Sequence, residues 1–214
     1  MDLLERDEAV ASFAHALRDA AAGRGRVLLV RGEPGIGKTA LVRHVLATQA
    51  EGARVLVAGC DDLATARPLG PFRDLAGQVD EPLASLLRAA PSVDDLFEPL
   101  VDELQRPPRP VVLAIDDVHW ADEASLDLLA FLLRRLDRLP ALLVLTFRDG
   151  LEPTHPLRLV LGRIHAPPAV HLDLPPLSPS AVSTLVGDDD PEALWRRTGG
   201  NPFLVTALVR HGGD

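Results

Sequence analysis

Residues 27–42 read VLLVRGEPGIGKTALV, and this stretch decides the fold. The four aliphatic residues 27–30 have the look of a short buried strand. Gly32, Glu33, Pro34, Gly35, Ile36, Gly37, Lys38 and Thr39 then follow the spacing G-x-x-x-x-G-K-[ST]. That spacing serves a physical need. Glycines let backbone N–H groups wrap closely around a phosphate, a lysine reaches the β- and γ-phosphates, and a hydroxyl ligates Mg²⁺. Ala40 opens a helix expected over 40–50, with Leu41, Val45 and Val42 on its inner face. The positive end of that helix points at the bound anion.

Composition sharpens the motif. The chain has 214 residues and 22 Lys+Arg, yet Lys38 is its only lysine. Arginine supplies positive charge everywhere else, which marks position 38 as one where a planar fork does not serve and a compact ammonium does.

A second motif, VVLAIDDVHWAD, spans residues 111–122. Five apolar residues end in Asp116 and Asp117, as a buried strand does when its tip meets a ligand outside the sheet. Asp116 is placed to hold Mg²⁺. Asp122 is read as the N-cap of a helix carrying Leu126, Leu129, Ala130 and Leu133 on one face. Asp117 is then free to face the γ-phosphate and orient water. Its carboxylate falls roughly 1.5 Å short of a glutamate's reach. A misplacement near 1 Å costs about a hundredfold in rate, so slow hydrolysis is expected.

The rest of the chain reads as alternating elements. A first helix is expected over 5–21 and strands over 27–31, 54–58, 111–116, 142–147 and 170–174. Two or three short helices, broken by Pro82, Pro91 and Pro99, fill 71–106. Alternation predicts an α/β fold: a five-stranded, mostly parallel sheet flanked by helices. From Ser178, read as an N-cap with Pro179 at the first helical position, only helices follow. The expected division is a nucleotide-binding unit over 1–176, with its N-terminal helix in 1–22, and a truncated helical subdomain over 177–214.

Weaker signals lie at two more places. LTFR ends the 142–147 strand in Thr146 and Arg148; lying beside the Asp116 strand, it would deliver Arg148 near the γ-phosphate, as a charge that senses it. TGGNPF brings Pro202 near the base of a nucleotide. Arg134, Arg135 and Arg138 read as a solvated helix end. Trp120 reads as a packing residue, and the histidines show no metal-ligand spacing.

The formal net charge of −9 argues against this segment gripping nucleic acid. One cysteine, Cys60, suits a reducing compartment. The N-terminus lacks a signal-peptide pattern, and no apolar run approaches the ~18 residues of a membrane span. A cytoplasmic location is expected.

The ordered set ERDEAV, GEPGIGKT, LAIDDVHWAD, LTFR and TGGNPFL resembles the signal-transduction ATPases of the AAA+/NACHT/NB-ARC group. It is most similar to the ATPase domain of large ATP-binding LuxR-type transcriptional regulators. The resemblance implies a P-loop NTPase fold with ATP or ADP and Mg²⁺ as ligands. It implies Lys38 and Thr39 on phosphate and metal, Asp116 on the metal side, and Asp117 where many relatives carry a catalytic acid. It further implies Arg148 as a γ-phosphate sensor, Pro202 against the base, and Arg6 on the adenine side. Here Glu5 and Ala9 replace the glycine and glutamate that flank such an arginine. In that family nucleotide exchange drives opening and self-association.

Four other functions share the loop. A GTPase of the N-K-x-D type needs a second lysine, and a transporter ATPase needs an L-S-G-G-Q-like signature; neither is present. A small-molecule kinase needs an arginine-bearing lid, for which 153–163 is the candidate. A nucleotide-binding domain without hydrolysis is the fourth.

Overall fold

The computed structural model describes residues 3–62, 67–89, 91–107, 110–162, 169–186 and 190–211. Five strands form one sheet: β1 (Arg26–Gly32), β2 (Arg54–Gly59), β3 (Val111–Asp116), β4 (Ala141–Arg148) and β5 (Ala169–Asp173). Their order is β2-β3-β4-β1-β5, and each neighbouring pair is parallel. β4 therefore lies between the strand that feeds the glycine-rich loop and the strand that ends in Asp116.

Side-chain alternation along β1 builds a core on each face. Leu28 and Val30 pack with Phe13 and Ala16 of α1 (Asp7–Ala21) and with Leu41 and Val45 of α2 (Lys38–Gln49). Val27 and Leu29 face the opposite layer, which includes Phe72 of α3 (Gly70–Arg73) and Leu87 of α4 (Leu83–Arg88). The same layer holds Leu96 and Leu100 of α5 (Val93–Gln105), Leu129 of α6 (Glu123–Leu133) and Leu157 of α7 (Pro156–Leu161). Each fully buried aliphatic side chain contributes about 1.5–3 kcal/mol.

Helix α1 starts at Asp7, two residues later than expected, because Glu5 has φ 56° and Arg6 is not helical. Pro82 and Pro91 do separate helices, but Pro99 lies inside α5. An interior proline costs roughly 3 kcal/mol. Burial of Leu96, Leu100 and Leu104 offsets that cost. So does a capping box in which Asp95 N–H donates to Ser92 Oγ at 3.4 Å and Ser92 N–H to Asp95 Oδ2 at 3.0 Å. Asp122 caps α6 by accepting from Ser125 N–H at 3.1 Å. The exposed edge of β2 is blunted by Gln78, whose amide accepts from Val57 N–H at 2.8 Å and donates to Val57 O at 2.7 Å.

The segment considered as a kinase lid is partly built into the core. Leu157 and Val160 are buried, and Arg158 donates to Leu151 O at 3.1 Å; Arg163 lies outside the described residues. Arg134, Arg135 and Arg138 are exposed, with the Arg135 guanidinium 3.7 Å from the centre of the Phe131 ring.

After β5 come α8 (Pro179–Val186), α9 (Pro191–Thr198) and α10 (Pro202–His211). They pack around Leu177, Ala181, Val182 and Val205, a small core apart from those of the sheet. Ser178 Oγ accepts from Ala181 N–H at 3.2 Å, as expected of an N-cap. Glu5 in turn accepts from Ser178 N–H at 2.8 Å, tying the chain start to this cluster. Among the described residues no helix is long and apolar enough to cross a membrane.

Candidate functional site

The loop between β1 and α2 owes its shape to two glycines. Gly37 has φ +100° and caps α2, so the helix starts at Lys38. Gly35 has φ +79°, and a Cβ there would lie 2.7 Å from Phe203 Cβ and 2.9 Å from Asn201 Oδ1. A side chain at 35 would therefore push away the start of α10. Lys38 is buried, and its Nζ donates to Gly32 O at 2.9 Å and Glu33 O at 3.1 Å. Burial lowers its pKa, while Asp117, Asp149 and Asp116 act in the opposite direction. Asp149 was not singled out from the sequence.

Asp116 is bracketed by two hydroxyls. Thr39 donates to its Oδ2 at 2.6 Å and Thr146 donates to its Oδ1. Thr146 is 1% exposed and also accepts from Asp117 N–H at 2.8 Å. This donor set suits Mg²⁺, a hard cation that takes oxygen ligands and keeps several waters. Among the described residues no group of three or more His, Cys, Asp or Glu closes around a metal. A Mg²⁺ ion held by Thr39 and Asp116 would thus complete its shell with water and phosphate oxygens.

Asp117 adopts φ 52°, ψ 43°, a left-handed conformation uncommon outside glycine. It turns the chain from β3 into a short 3-10 turn, Val118–Trp120, and leaves the carboxylate half-exposed in the cleft. Burial and neighbouring Asp116 raise its pKa, and Lys38 counters them.

Arg148 ends β4 at the same rim. Its guanidinium carbon lies 5.0 Å from the Trp120 ring centre, within cation–π range. Trp120, expected only to pack, is thus also the platform for Arg148. His119 stands beside it, 7% exposed, with ring centres 4.9 Å apart. Burial, Arg148 and Lys38 push the His119 pKa down to about 4, so the imidazole is neutral at physiological pH.

Lys38, Thr39, Asp117, Arg148 and Pro202 line one open cleft of about 650 Å³, a volume that fits a nucleotide-sized ligand. A second cavity of about 370 Å³ shares Gly37, Ala40, Arg43, Pro202 and Thr206 with the first. Leu3, Leu4, Ile36, Leu177 and Leu185 make it apolar. One end of the combined space is charged and the other greasy.

Arg6 lines the apolar cavity, but its guanidinium is spent on backbone. It donates to Glu5 O at 3.0 Å, Ile36 O at 3.3 Å and Pro175 O at 2.9 Å. Glu33 is exposed and its carbonyl serves Lys38; Ile36 is buried in the α1–α2 core. Two hydrogen bonds join the loop to the helical cluster. Asn201 Nδ2 donates to Pro34 O at 2.9 Å, and Phe203 N–H to Gly35 O at 3.2 Å.

Thr146, His119 and Asn201 carry more of this geometry than sequence reasoning assigned them. The hydroxyl of Thr146 interrupting an otherwise aliphatic strand was the only local signal among the three.

Comparison with known proteins agrees with this architecture. An uncharacterized protein of Rhizobium meliloti (strain 1021) is 27% identical over 208 aligned residues, covering 74% of this chain and 20% of that protein. The chain thus spans about a fifth of the length of its curated relative. Among solved structures, the Aeropyrum pernix Orc1 protein in complex with DNA superposes with TM-score 0.69 at 23% identity, over 99% of this chain and 60% of that one. A Signal Transduction ATPase with Numerous Domains from Pyrococcus horikoshii, with a tetratricopeptide repeat sensor, gives 0.56 at 16%, over 99% and 30%. The Thermotoga maritima RuvB branch migration motor gives 0.52 at 22%, over 95% and 60%. At these identities the likeness is one of fold. Residues 2–145 match the AAA ATPase domain, and the chain belongs to that family of P-loop ATPases.

Proposed function

We propose that the chain is the nucleotide-operated switch of a larger signalling or transcriptional regulator, of the LuxR type that its motifs resemble. It binds ATP or ADP with Mg²⁺ and hydrolyses ATP slowly. The observation that carries the switch is the direct bonding of the phosphate loop to the helical cluster, Asn201 to Pro34 and Phe203 to Gly35. A phosphate that reshapes the loop backbone pulls on α10 without an intermediary. Residues 1–176 act as the nucleotide-binding unit and 177–214 as the part that moves.

In this reading the triphosphate occupies the charged end of the cleft and the base the apolar end. Lys38 binds the β- and γ-phosphates, helped by the N–H groups of residues 35–40. Thr39 and Asp116 hold Mg²⁺, which supplies charge neutralisation on the phosphates when bound. Asp117 orients the attacking water. Arg148, steadied on Trp120, senses the γ-phosphate. Pro202 contacts the base, and Arg6 shapes the adenine side by fixing the carbonyls of Ile36 and Pro175. Self-association in the ATP state follows the same logic. The acidic balance of the segment, −9 formal charges, does not favour direct nucleic-acid binding.

Single-turnover reaction with γ-labelled ATP tests the reading. Expected is release of free phosphate at a rate on the order of 10⁻⁴–10⁻² s⁻¹, the range of unassisted switch NTPases. Transfer of the label to a small acceptor would establish a kinase instead. Tight ATP binding with no ADP formed over hours would establish a domain that does not hydrolyse.

A further inference from the structure

We propose that His119 is a positioning residue that holds the Asp117 carboxylate through its ring Nδ1–H. The inference rests on the role given to Asp117 above.

The Nδ1 atom of His119 is fully buried and makes no hydrogen bond. A buried polar atom without a partner is costly and rare in folded proteins. Asp117 Oδ1 is an acceptor within reach, 3.9 Å away. Closing that gap to hydrogen-bond length takes about 1 Å of movement.

Only the Asp117 side chain is free to make it. Its backbone is fixed on both sides: its N–H donates to Thr146 Oγ1 at 2.8 Å, and its carbonyl accepts from Trp120 N–H at 2.9 Å. Its carboxylate is 42% exposed, whereas the His119 side chain is 5% exposed and packed on Trp120. The imidazole is the anchor and the carboxylate is what turns.

Charged and titratable groups converge on the ring from several elements: Arg148 at the end of β4, Lys38 on α2, His155 before α7 and Asp62 after β2. The two nearby cations and burial keep the ring neutral, so it carries one N–H. Placed on Nδ1, that proton meets a carboxylate. Placed on the other nitrogen, it leaves two acceptors facing each other. A short acid that must meet a water at a fixed distance gains from such a restraint, because about 1 Å of misplacement costs on the order of a hundredfold.

Four variants and ¹⁵N NMR test this. Asn carries its amide nitrogen where His carries Nδ1; Gln carries it further out, where Nε2 lies. His119→Asn is expected to keep single-turnover hydrolysis within about threefold of the native chain. His119→Gln and His119→Leu are expected to lose about tenfold to a hundredfold, with ATP affinity unchanged within about twofold. In nucleotide-free chain, ¹⁵N NMR is expected to show the Nδ1-protonated tautomer, and Asp117→Ala to change it. An Nε2-protonated ring, or equal turnover in the Asn and Gln variants, would overturn the proposal. The tautomer is read without turnover, so a native chain that binds ATP and never hydrolyses it sinks the hydrolysis reading alone.

Discussion

Lys38→Ala is expected to lose about a thousandfold in ATP affinity by titration calorimetry, with the fold intact by circular dichroism. The argument is electrostatic. Asp116, Asp117 and Asp149 all act on the Lys38 ammonium. Without it, three carboxylates face an incoming triphosphate, and only Mg²⁺ and the loop's backbone N–H groups offset the repulsion. A pair of unit charges about 4 Å apart is worth about 4 kcal/mol at the effective dielectric near a protein surface. That is close to a thousandfold in binding. Lys38→Arg is expected to fall nearly as far, because the space between the carbonyls of Gly32 and Glu33 holds one nitrogen at 2.9 and 3.1 Å, not a planar fork. Retained micromolar affinity in Lys38→Ala would contradict the phosphate-loop assignment.

The largest stability effect is expected far from the cleft. Glu103 on α5 is fully buried, 2.5 Å from Arg54 Nη2 on β2 and 3.5 Å from Arg106 Nε. Neither carboxylate oxygen makes a well-directed hydrogen bond, and Arg54 Nη1 is buried without one. Charge proximity rather than directed bonding holds the pair. Arg54→Met leaves the buried Glu103 charge only the partly exposed, more distant Arg106 and is expected to cost about 3–5 kcal/mol, read as a lower urea midpoint at unchanged m-value. The double variant Arg54→Met, Glu103→Leu is expected to recover most of that loss, since apolar replacement of a buried pair is often neutral. A single variant within about 1 kcal/mol of the native chain would show that Arg106 or water satisfies Glu103.

What the sequence makes legible is set by the range of the physics. The strand–loop–helix unit around Lys38, the Asp122 and Ser178 caps, and all five strands depend on residues within a few positions of one another, and each can be read locally. Pro99 misleads because its local cost is overridden by the burial of Leu96, Leu100 and Leu104 against other elements. Thr146 reaches Asp116 only because β4 pairs with β3 in the register Ile115 to Leu145. Asn201 meets Pro34 across 167 positions, and Arg6 meets Pro175 across 169. No periodicity encodes contacts of that span. Trp120 looks like a packing residue until Arg148 is placed beside it.

These long-range contacts are what a switch needs, and they carry the central claim: the phosphate loop and the helices of 179–211 respond as one to the nucleotide. Hydrogen–deuterium exchange of the backbone amides around the α9–α10 turn measures that coupling directly. The chain saturated with ADP and Mg²⁺ is compared with Asp117→Asn saturated with ATP and Mg²⁺, where asparagine tolerates the left-handed backbone and removes the charge. Asp117→Asn with ADP serves as the control. The account predicts that protection at Asn201, Phe203 and Val205 differs between the two nucleotides by about tenfold or more in rate, while β1 and β4 exchange alike. Identical protection across that turn at saturation with either nucleotide would contradict it.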